Sequence, residues 1–255
     1  MNSQQKDLDK KTAFFGYRKI KASEKAGHVL RHFNSIADKY DFMNTLLSLG
    51  IHYLWKRSAV KAARLKKNGM VIDLCGGTAD LAVLAAKRLG HGSLIVVYDI
   101  NLQMMKQGIP KIAKAGFSKR IGCVQGDAED IAFPSQLFDG AMIGFGIRNV
   151  TDMGRCLREI NRILKPGGSF MCLEFSLPVN PCFRFLYDIY SFHIMPYVGQ
   201  LLAGTRNAYL HLPESIRMFP SPDDFSRIIS AAGFIQVQYK RLTNGIAVIY
   251  TGVKP

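Results

Sequence analysis

VIDLCGGTAD, residues 71–80, decides how this 255-residue chain is read. An apolar stretch runs into Asp73, then Gly76, Gly77 and Thr78, and a helix-like segment LAVLAAKRL follows at 81–89. A second apolar run, SLIVVYD at 93–99, ends in Asp99. A strand, a glycine turn, a helix and an acid closing the next strand form a nucleoside-binding half of an α/β sheet. The glycines let the backbone approach a ligand where a Cβ would collide. Asp99 is placed to accept from both ribose hydroxyls.

The glycine spacing selects the cofactor. A dinucleotide site requires G-x-G-x-x-G, with the pyrophosphate on the helix N-terminus. Here Gly76 and Gly77 are adjacent and the next glycine is Gly90, and there is no G-x-x-x-x-G-K-[ST] phosphate loop. Asp73 at the first strand end would repel a phosphate. A cationic nucleoside without phosphate fits instead, and S-adenosylmethionine carries an ammonium and a sulfonium. Asp73, Gly76, Gly77 and Asp99 are therefore candidate cofactor residues.

Composition narrows the class. Apolar residues make up 48% and charged residues 21% of the chain, the mark of a globular protein long enough for one large core. The five cysteines, Cys75, Cys123, Cys156, Cys172 and Cys182, form no C-x-x-C pair and read as reduced structural thiols of a cytoplasmic protein. No His/Cys/Asp cluster has metal-ligand spacing, so no metal is expected. The start MNSQQKDLDKK has no apolar signal region, and no apolar run reaches the ~18 residues of a spanning helix. The net charge is +15, and residues 1–70 hold 15 Lys and Arg against 5 Asp and Glu. Such a bias suits nucleic acid or an anionic membrane face.

Along the chain, residues 1–22 read as a mobile basic tail and 23–255 as a single domain. Residues 23–65 are helical, with Val29, Phe33, Ile36, Ala37 and Tyr40 at helical spacing and Gly50 as an interruption. Strands are predicted at 70–75, 94–99, 121–125, 138–145 and 168–175, and helices at 79–89, 102–115 and 152–164. Lys165-Pro166-Gly167-Gly168 ends the last of these helices. Apolar strands alternating with amphipathic helices predict a mostly parallel sheet covered on both faces. Residues 176–220 break the pattern with five prolines around FRFLYDIYSFHIMPYVGQLLAG, a stretch long enough to be functional. A helix at 223–232 and strands at 234–241 and 246–253 close the chain, joined by Thr243-Asn244-Gly245. A parallel sheet of seven strands ending in an antiparallel hairpin predicts the Rossmann-like fold of Class I methyltransferases.

Two more strand ends carry polar residues. Asp127 and Ala128 follow the third strand, where an acid and a backbone N–H can read adenine. The fourth strand runs into GFGIRNV, Gly144 to Val150, at the sheet edge where open α/β folds bind ligands. Arg148 and Asn149 leave it as polar groups able to hold substrate oxygens. Tyr40 can do the same from the helical region. His52 and His193 are possible proton carriers, although a His in an aromatic stretch is more often packed. Glu214 and Arg217 are expected to pair.

At this resolution of detail the chain resembles the UbiE-type family of menaquinone and ubiquinone biosynthesis C-methyltransferases. The resemblance lies in YDFMNTLLSLGIHYLWKR (40–57), DLCGGTAD, GFGIRNV, LKPGG, LEFS (173–176), YSFHIMPYVG, YLHLPESIRMFP (209–220) and LTNGIAVIYTG. The glycine motif is widely shared among methyltransferases; the first stretch and the YLHLPESIRMFP stretch are much narrower. The resemblance implies that Thr78, Asp99, Asp127 and Ala128 contact the cofactor, and that a demethylated isoprenoid quinol is methylated on a ring carbon. Two positions depart from the family pattern: Ala79 stands where glycine is usual, and Gly144 where a small hydroxyl residue is common.

The implied chemistry needs no metal. A ring carbon ortho to a hydroxyl becomes nucleophilic as that hydroxyl loses its proton, and attacks the sulfonium methyl in line. Arg148 is expected to stabilise phenolate charge, with Asn149 and Tyr40 orienting the ring oxygens. A membrane-borne isoprenoid tail accounts for the apolar insert at 183–202 and predicts peripheral contact with anionic lipid. Oligomeric state is open, a homodimer included. The competing readings are methylation of RNA or of a small phenol, and a catalytically silent lipid-binding fold. RNA is disfavoured because GFGIRN stands where an N-P-P-[YF] motif would, so no nucleic-acid partner is expected.

Overall fold

A computed structural model describes residues 11–255. Residues 1–10 of the expected tail lie outside the described residues. Residues 12–21 of that tail form a small antiparallel hairpin, β1 (Thr12–Phe15) and β2 (Arg18–Lys21). The cause is a two-residue period: Ala13 and Phe15 turn inward while Thr12 and Phe14 stay exposed.

The N-terminal helical region resolves into α1 (Ala22–Ile36), α2 (Tyr40–Leu47) and α3 (Ile51–Ala62). Gly50, at φ 75°, makes the break before α3. From there strand and helix alternate through β3 (Met70–Leu74), α4 (Asp80–Arg88), β4 (Leu94–Asp99), α5 (Leu102–Lys114), β5 (Ile121–Gln125), β6 (Phe138–Gly144), α6 (Met153–Ile163) and β7 (Leu164–Phe175). The fifth strand thus begins four residues before its predicted start, with Lys165-Pro166-Gly167-Gly168 inside it.

From Pro181 the insert is mostly helical: α7 (Pro181–Ile189), a wide turn at Tyr190–Ile194, α8 (Met195–Ala203) and α9 (Arg206–Met218). The chain closes with α10 (Pro222–Ala231), β8 (Ile235–Leu242) and β9 (Ala247–Val253). The seven strands lie in the order β5-β4-β3-β6-β7-β9-β8. β3, β4, β5, β6 and β7 run parallel, and β9 is antiparallel to both β7 and β8. This is the Class I methyltransferase arrangement.

Period-2 burial divides the core into two. Val71, Met142, Met171 and Ile249 face α3 and α4 on one side. Ile72, Ile143, Cys172 and Tyr250 face α6 and α10 on the other. A smaller third core, with Ile36, Met43, Ala208 and Tyr209, fastens α9 to the N-terminal helices. Together these helices roof the carboxyl ends of β3, β4 and β6, the edge where ligands bind in open α/β sheets. No described helix is long and apolar enough to cross a membrane. All five cysteines are free.

Candidate functional site

A cleft of about 1090 Å³, open to solvent, lies under that roof. Asp73, Gly76, Gly77, Thr78, Asp99, Asp127, Ala128, Gly144, Asn149 and Tyr40 all line it. The floor is the turn between β3 and α4. Gly76 packs so closely that a Cβ there would stand 2.8 Å from both the Asp73 carbonyl and Val97 Cγ1. Gly77 has φ 47°. Its N–H donates to Asp99 Oδ2 at 2.8 Å, and the Asn101 N–H donates to Asp99 Oδ1 at 2.7 Å. Burial pushes the Asp99 carboxyl up, and those two N–H groups oppose it. The second lone pair on each oxygen remains for diol recognition.

Asp73 is 1% exposed. Its Oδ2 accepts from the Ala82 N–H at 3.0 Å, whereas Oδ1 has no partner among the described residues. Burial, aided by the charges of Asp99 and Asp80, drives this carboxyl up to about 8. A buried, unpartnered acceptor at the edge of a nucleoside cleft fits the ammonium of S-adenosylmethionine. Asp99, Asp127 and Ala128 line the same cleft, and the residues present suit that cofactor.

Thr78 is engaged differently from the simple expectation. Its hydroxyl donates to Asp41 Oδ1 at 2.8 Å and accepts from Lys111 at 3.2 Å. Lys111 also pairs with Asp41 Oδ2 at 2.7 Å and contacts Asp80, and Lys56 reaches Asp80 at 2.6 Å. Burial works against the charged form of Asp80, but Lys56 and Lys111 hold its carboxyl below the usual range. This chain of charges joins α2, α3, α4 and α5 to the glycine turn. Asp80 lies in the opening motif and Asp41 and Lys56 in the 40–57 stretch, but none was read as a charge partner, and Lys111 gave no signal.

The two departures from the family pattern each have a local account. Ala79 sits at φ 64°, a region that favours glycine, with its methyl fully buried. A Cβ on Gly108 would come within 3.2 Å of it, so the absence of a side chain on α5 leaves the room. At Gly144, a Cβ would meet Leu81 Cδ1 at 2.6 Å, so the larger side chain on α4 fills the space a hydroxyl residue would need.

A second cavity, about 1610 Å³ with its solvent-open mouth included, adjoins the cleft and shares Phe33, Tyr40, Lys56, Phe145 and Asn149 with it. Its lining is mainly apolar and aromatic, drawn from α2, α3, α7 and α9. Arg148 faces this cavity. Its side chain is 8% exposed, and the guanidinium pairs at 2.7 Å with Glu174, whose side chain is fully buried. It also donates to the Phe145 carbonyl at 2.5 Å and contacts Ser215 Oγ at 3.4 Å. Burial raises the Glu174 carboxyl while Arg148 pulls it back. Arg148 is therefore a cation already matched by a buried acid, not a free charge.

The histidines redistribute. His52 is buried, with Nδ1 2.6 Å from Ser48 Oγ, a packed and bonded residue on the cavity wall. His193 is exposed and lines neither space. His32, which carried no sequence signal, and His211, which lies in YLHLPESIRMFP but was not singled out, do line the second cavity. Glu214 does not pair with Arg217: Arg217 binds Asp188 and covers the Phe192 ring, while Glu214 accepts from the Tyr17 N–H at 3.3 Å. The hairpin is what draws Glu214 away. Among the described residues no group of His, Cys, Asp and Glu is arranged to hold a metal.

The model of the ubiE/COQ5 methyltransferase family matches residues 19–254. The ubiquinone/menaquinone biosynthesis C-methyltransferase UbiE of Pectobacterium atrosepticum is 43% identical over 244 residues, covering 96% of this chain and 97% of that protein. Its counterpart from Methylococcus capsulatus is 42% identical over 247 residues, 97% of this chain and all of that protein. Among solved structures, a SAM-dependent methyltransferase of Thermotoga maritima, a possible histamine N-methyltransferase, superposes with a TM-score of 0.61 at 20% identity. It covers 89% of this chain and all of that one, and at that identity shows the fold alone.

Proposed function

Since the chain belongs to the ubiE/COQ5 methyltransferase family, we propose that it methylates a ring carbon of a demethylated isoprenoid quinol, such as demethylmenaquinol, using S-adenosylmethionine. The observation that carries this reading is the shared wall: an apolar cavity large enough for a prenylated ring abuts a nucleoside cleft at Phe33, Tyr40, Phe145 and Asn149.

S-adenosylmethionine supplies, when bound, a methyl group activated by its sulfonium. Asp99 would hold the ribose hydroxyls, Asp127 and the Ala128 N–H would hold adenine, and Asp73 would hold the ammonium. Gly76, Gly77, Thr78 and Gly144 line the cleft at close range. Phe33 and Phe145 exclude water where the two spaces meet, so alignment of the reactants does most of the work. Asn149 and Tyr40 orient the ring oxygens. Arg148 contributes hydrogen bonds more than net field, because Glu174 cancels its charge locally.

A small phenol would use the same chemistry. The size of the cavity and its apolar rim favour a long-tailed acceptor: Leu49, Phe183 and Leu186 line the cavity and are exposed, Leu49 by 92%. A tail that lives in a bilayer puts the enzyme at the cytoplasmic face of an anionic membrane, with the basic N-terminal region toward the lipid.

Incubation with S-adenosylmethionine and chemically reduced demethylmenaquinone, read by mass spectrometry, tests the proposal. A product heavier by one methylene is expected. No product, under conditions where a UbiE relative turns over, would overturn it.

A further inference from the structure

C-methylation of a quinol releases one proton, and the acceptor cavity offers it few ways out. Asp73 lies in the nucleoside cleft and not in this cavity, Glu174 is paired with Arg148, and His52 with Ser48. His211 stands apart from these. It is 8% exposed, lines the cavity, and neither ring nitrogen has a partner among the described residues. Two unpartnered buried nitrogens cost stability. A neutral imidazole offers one lone pair and one N–H, the pair of functions a quinol hydroxyl needs in a proton acceptor.

The far side of the same ring opens elsewhere. His32 and His211 line both the cavity and a separate polar groove on the surface. That groove also carries His28, Arg31, Ser35 and Glu214. The His32 and His211 rings lie 4.7 Å apart between centroids, and His211 stacks at 3.9 Å on Phe15 of the hairpin. The histidine pair is thus the wall between an apolar cavity and solvent-facing polar groups.

Resting on the quinol reading above, we infer that His211 accepts the proton released from the quinol and that His32 passes it to the surface groove. The acceptor O–H bond breaks with its electron pair left on oxygen, and the proton goes to a His211 ring nitrogen. The ring carbon forms a bond to the methyl group, whose bond to sulfur breaks with its pair left on sulfur. The hydrogen on the methylated carbon then leaves as a proton and the hydroxyl is reprotonated, so one proton in all departs through the pair. Burial, together with the charges of His32, Arg148, Lys25 and Arg18, holds His211 down at about 3, and burial holds His32 down at about 4. Both rings are therefore neutral before reaction, and the phenolate formed beside His211 is what favours its imidazolium until the methyl group transfers.

Two measurements test this. In the first, kcat and KM for the quinol are measured for His211→Phe, His211→Gln and His211→Ala, with cofactor affinity measured by calorimetry. A fall in kcat of tenfold or more is expected in all three, with cofactor affinity and KM nearly unchanged. Imidazole added to His211→Ala should restore rate, and His32→Phe should show a smaller loss. Wild-type rate in His211→Phe or His211→Gln overturns the inference, as does slow His211→Ala that imidazole leaves slow. In the second, the wild-type protein with 15N-labelled histidine is titrated with 1,4-dihydroxynaphthalene. A shift in a His211 ring nitrogen is expected, whereas binding of the compound without such a shift overturns the inference. Failure of the wild-type enzyme to methylate the quinol at all would instead strike the proposal on which this rests.

Discussion

Asp73 is expected to change protonation when the cleft fills. Its carboxyl sits at about 8 before binding, so it is mostly protonated at pH 6.5, where an α-amino group (~7.7–8.0) is still charged. An ammonium beside Oδ1 favours the carboxylate and expels the proton. Affinity should therefore rise as pH rises toward 8 and weaken as pH falls. Calorimetry in buffers of different ionisation enthalpy should show close to one proton released per cofactor at pH 6.5. Asp73→Asn should abolish that release and weaken binding by about 1.5–3 kcal/mol, the range for a hydrogen bond to a charged group. Unchanged heats across buffers would contradict this role for Asp73.

At the scale of elements, α5 lies over the turn that binds the cofactor, and Gly108 sets the distance. A Cβ there would stand 3.0 Å from the Thr78 carbonyl carbon and 3.2 Å from Ala79 Cβ. Gly108→Ala gains about 1 kcal/mol of helix propensity but pushes the turn by a few tenths of an ångström. Cofactor affinity should fall about tenfold, roughly 1.4 kcal/mol, while thermal stability changes little. Gly27→Ala in α1 is the control, since a Cβ there meets only the end of Arg31 at 3.4 Å. It should add stability and leave affinity alone.

The same scale explains what the sequence revealed. β3, the glycine turn and β4 were legible because periodicity, turn chemistry and the acid at the strand end are all local. The Thr243-Asn244-Gly245 turn and the hairpin it closes were legible for the same reason. The acceptor cavity was legible only in part: Tyr40, Arg148, Asn149 and the 183–202 insert line it as expected, but the partners of its polar groups come from remote places. His32 on α1 meets His211 on α9, and Arg148 after β6 meets Glu174 at the end of β7. Glu174 sits among apolar residues in LEFS and reads only as part of a strand. The β1–β2 hairpin was missed because two four-residue strands in a basic context show almost no hydrophobic signal.

For the whole molecule, charge and apolar exposure act together. The chain carries +15, with residues 1–70 strongly basic. Phe185, Tyr197 and Leu201 of the insert are exposed, joining Leu49 at the cavity mouth. Each lysine or arginine near an anionic surface contributes about 1 kcal/mol, and salt screens it. The protein should co-sediment with vesicles containing anionic lipid at low salt, and release at about 0.5 M salt, where the Debye length falls below ~5 Å. Replacing Leu49 and Leu186 by Asp should weaken this binding. Equal sedimentation with neutral vesicles, or a homodimer on size exclusion that the same replacements dissolve, would assign the rim to another use.

The linked charges of Asp41, Lys56, Asp80 and Lys111 bear on inheritance as well as on structure. Two lysines and two aspartates sum to zero, and each is shared between elements that meet at Thr78. Losing Lys56 or Asp80, 9% and 19% exposed, leaves an odd charge beneath the roof at a cost of about 3–5 kcal/mol, whereas losing Asp41, 40% exposed, costs less because water screens it. The larger cost is a large part of the 5–15 kcal/mol holding a typical domain folded. Drift at these four positions should accordingly proceed by paired replacement, a lysine and an aspartate leaving together, so that lineages inherit the quartet whole or exchange it two at a time.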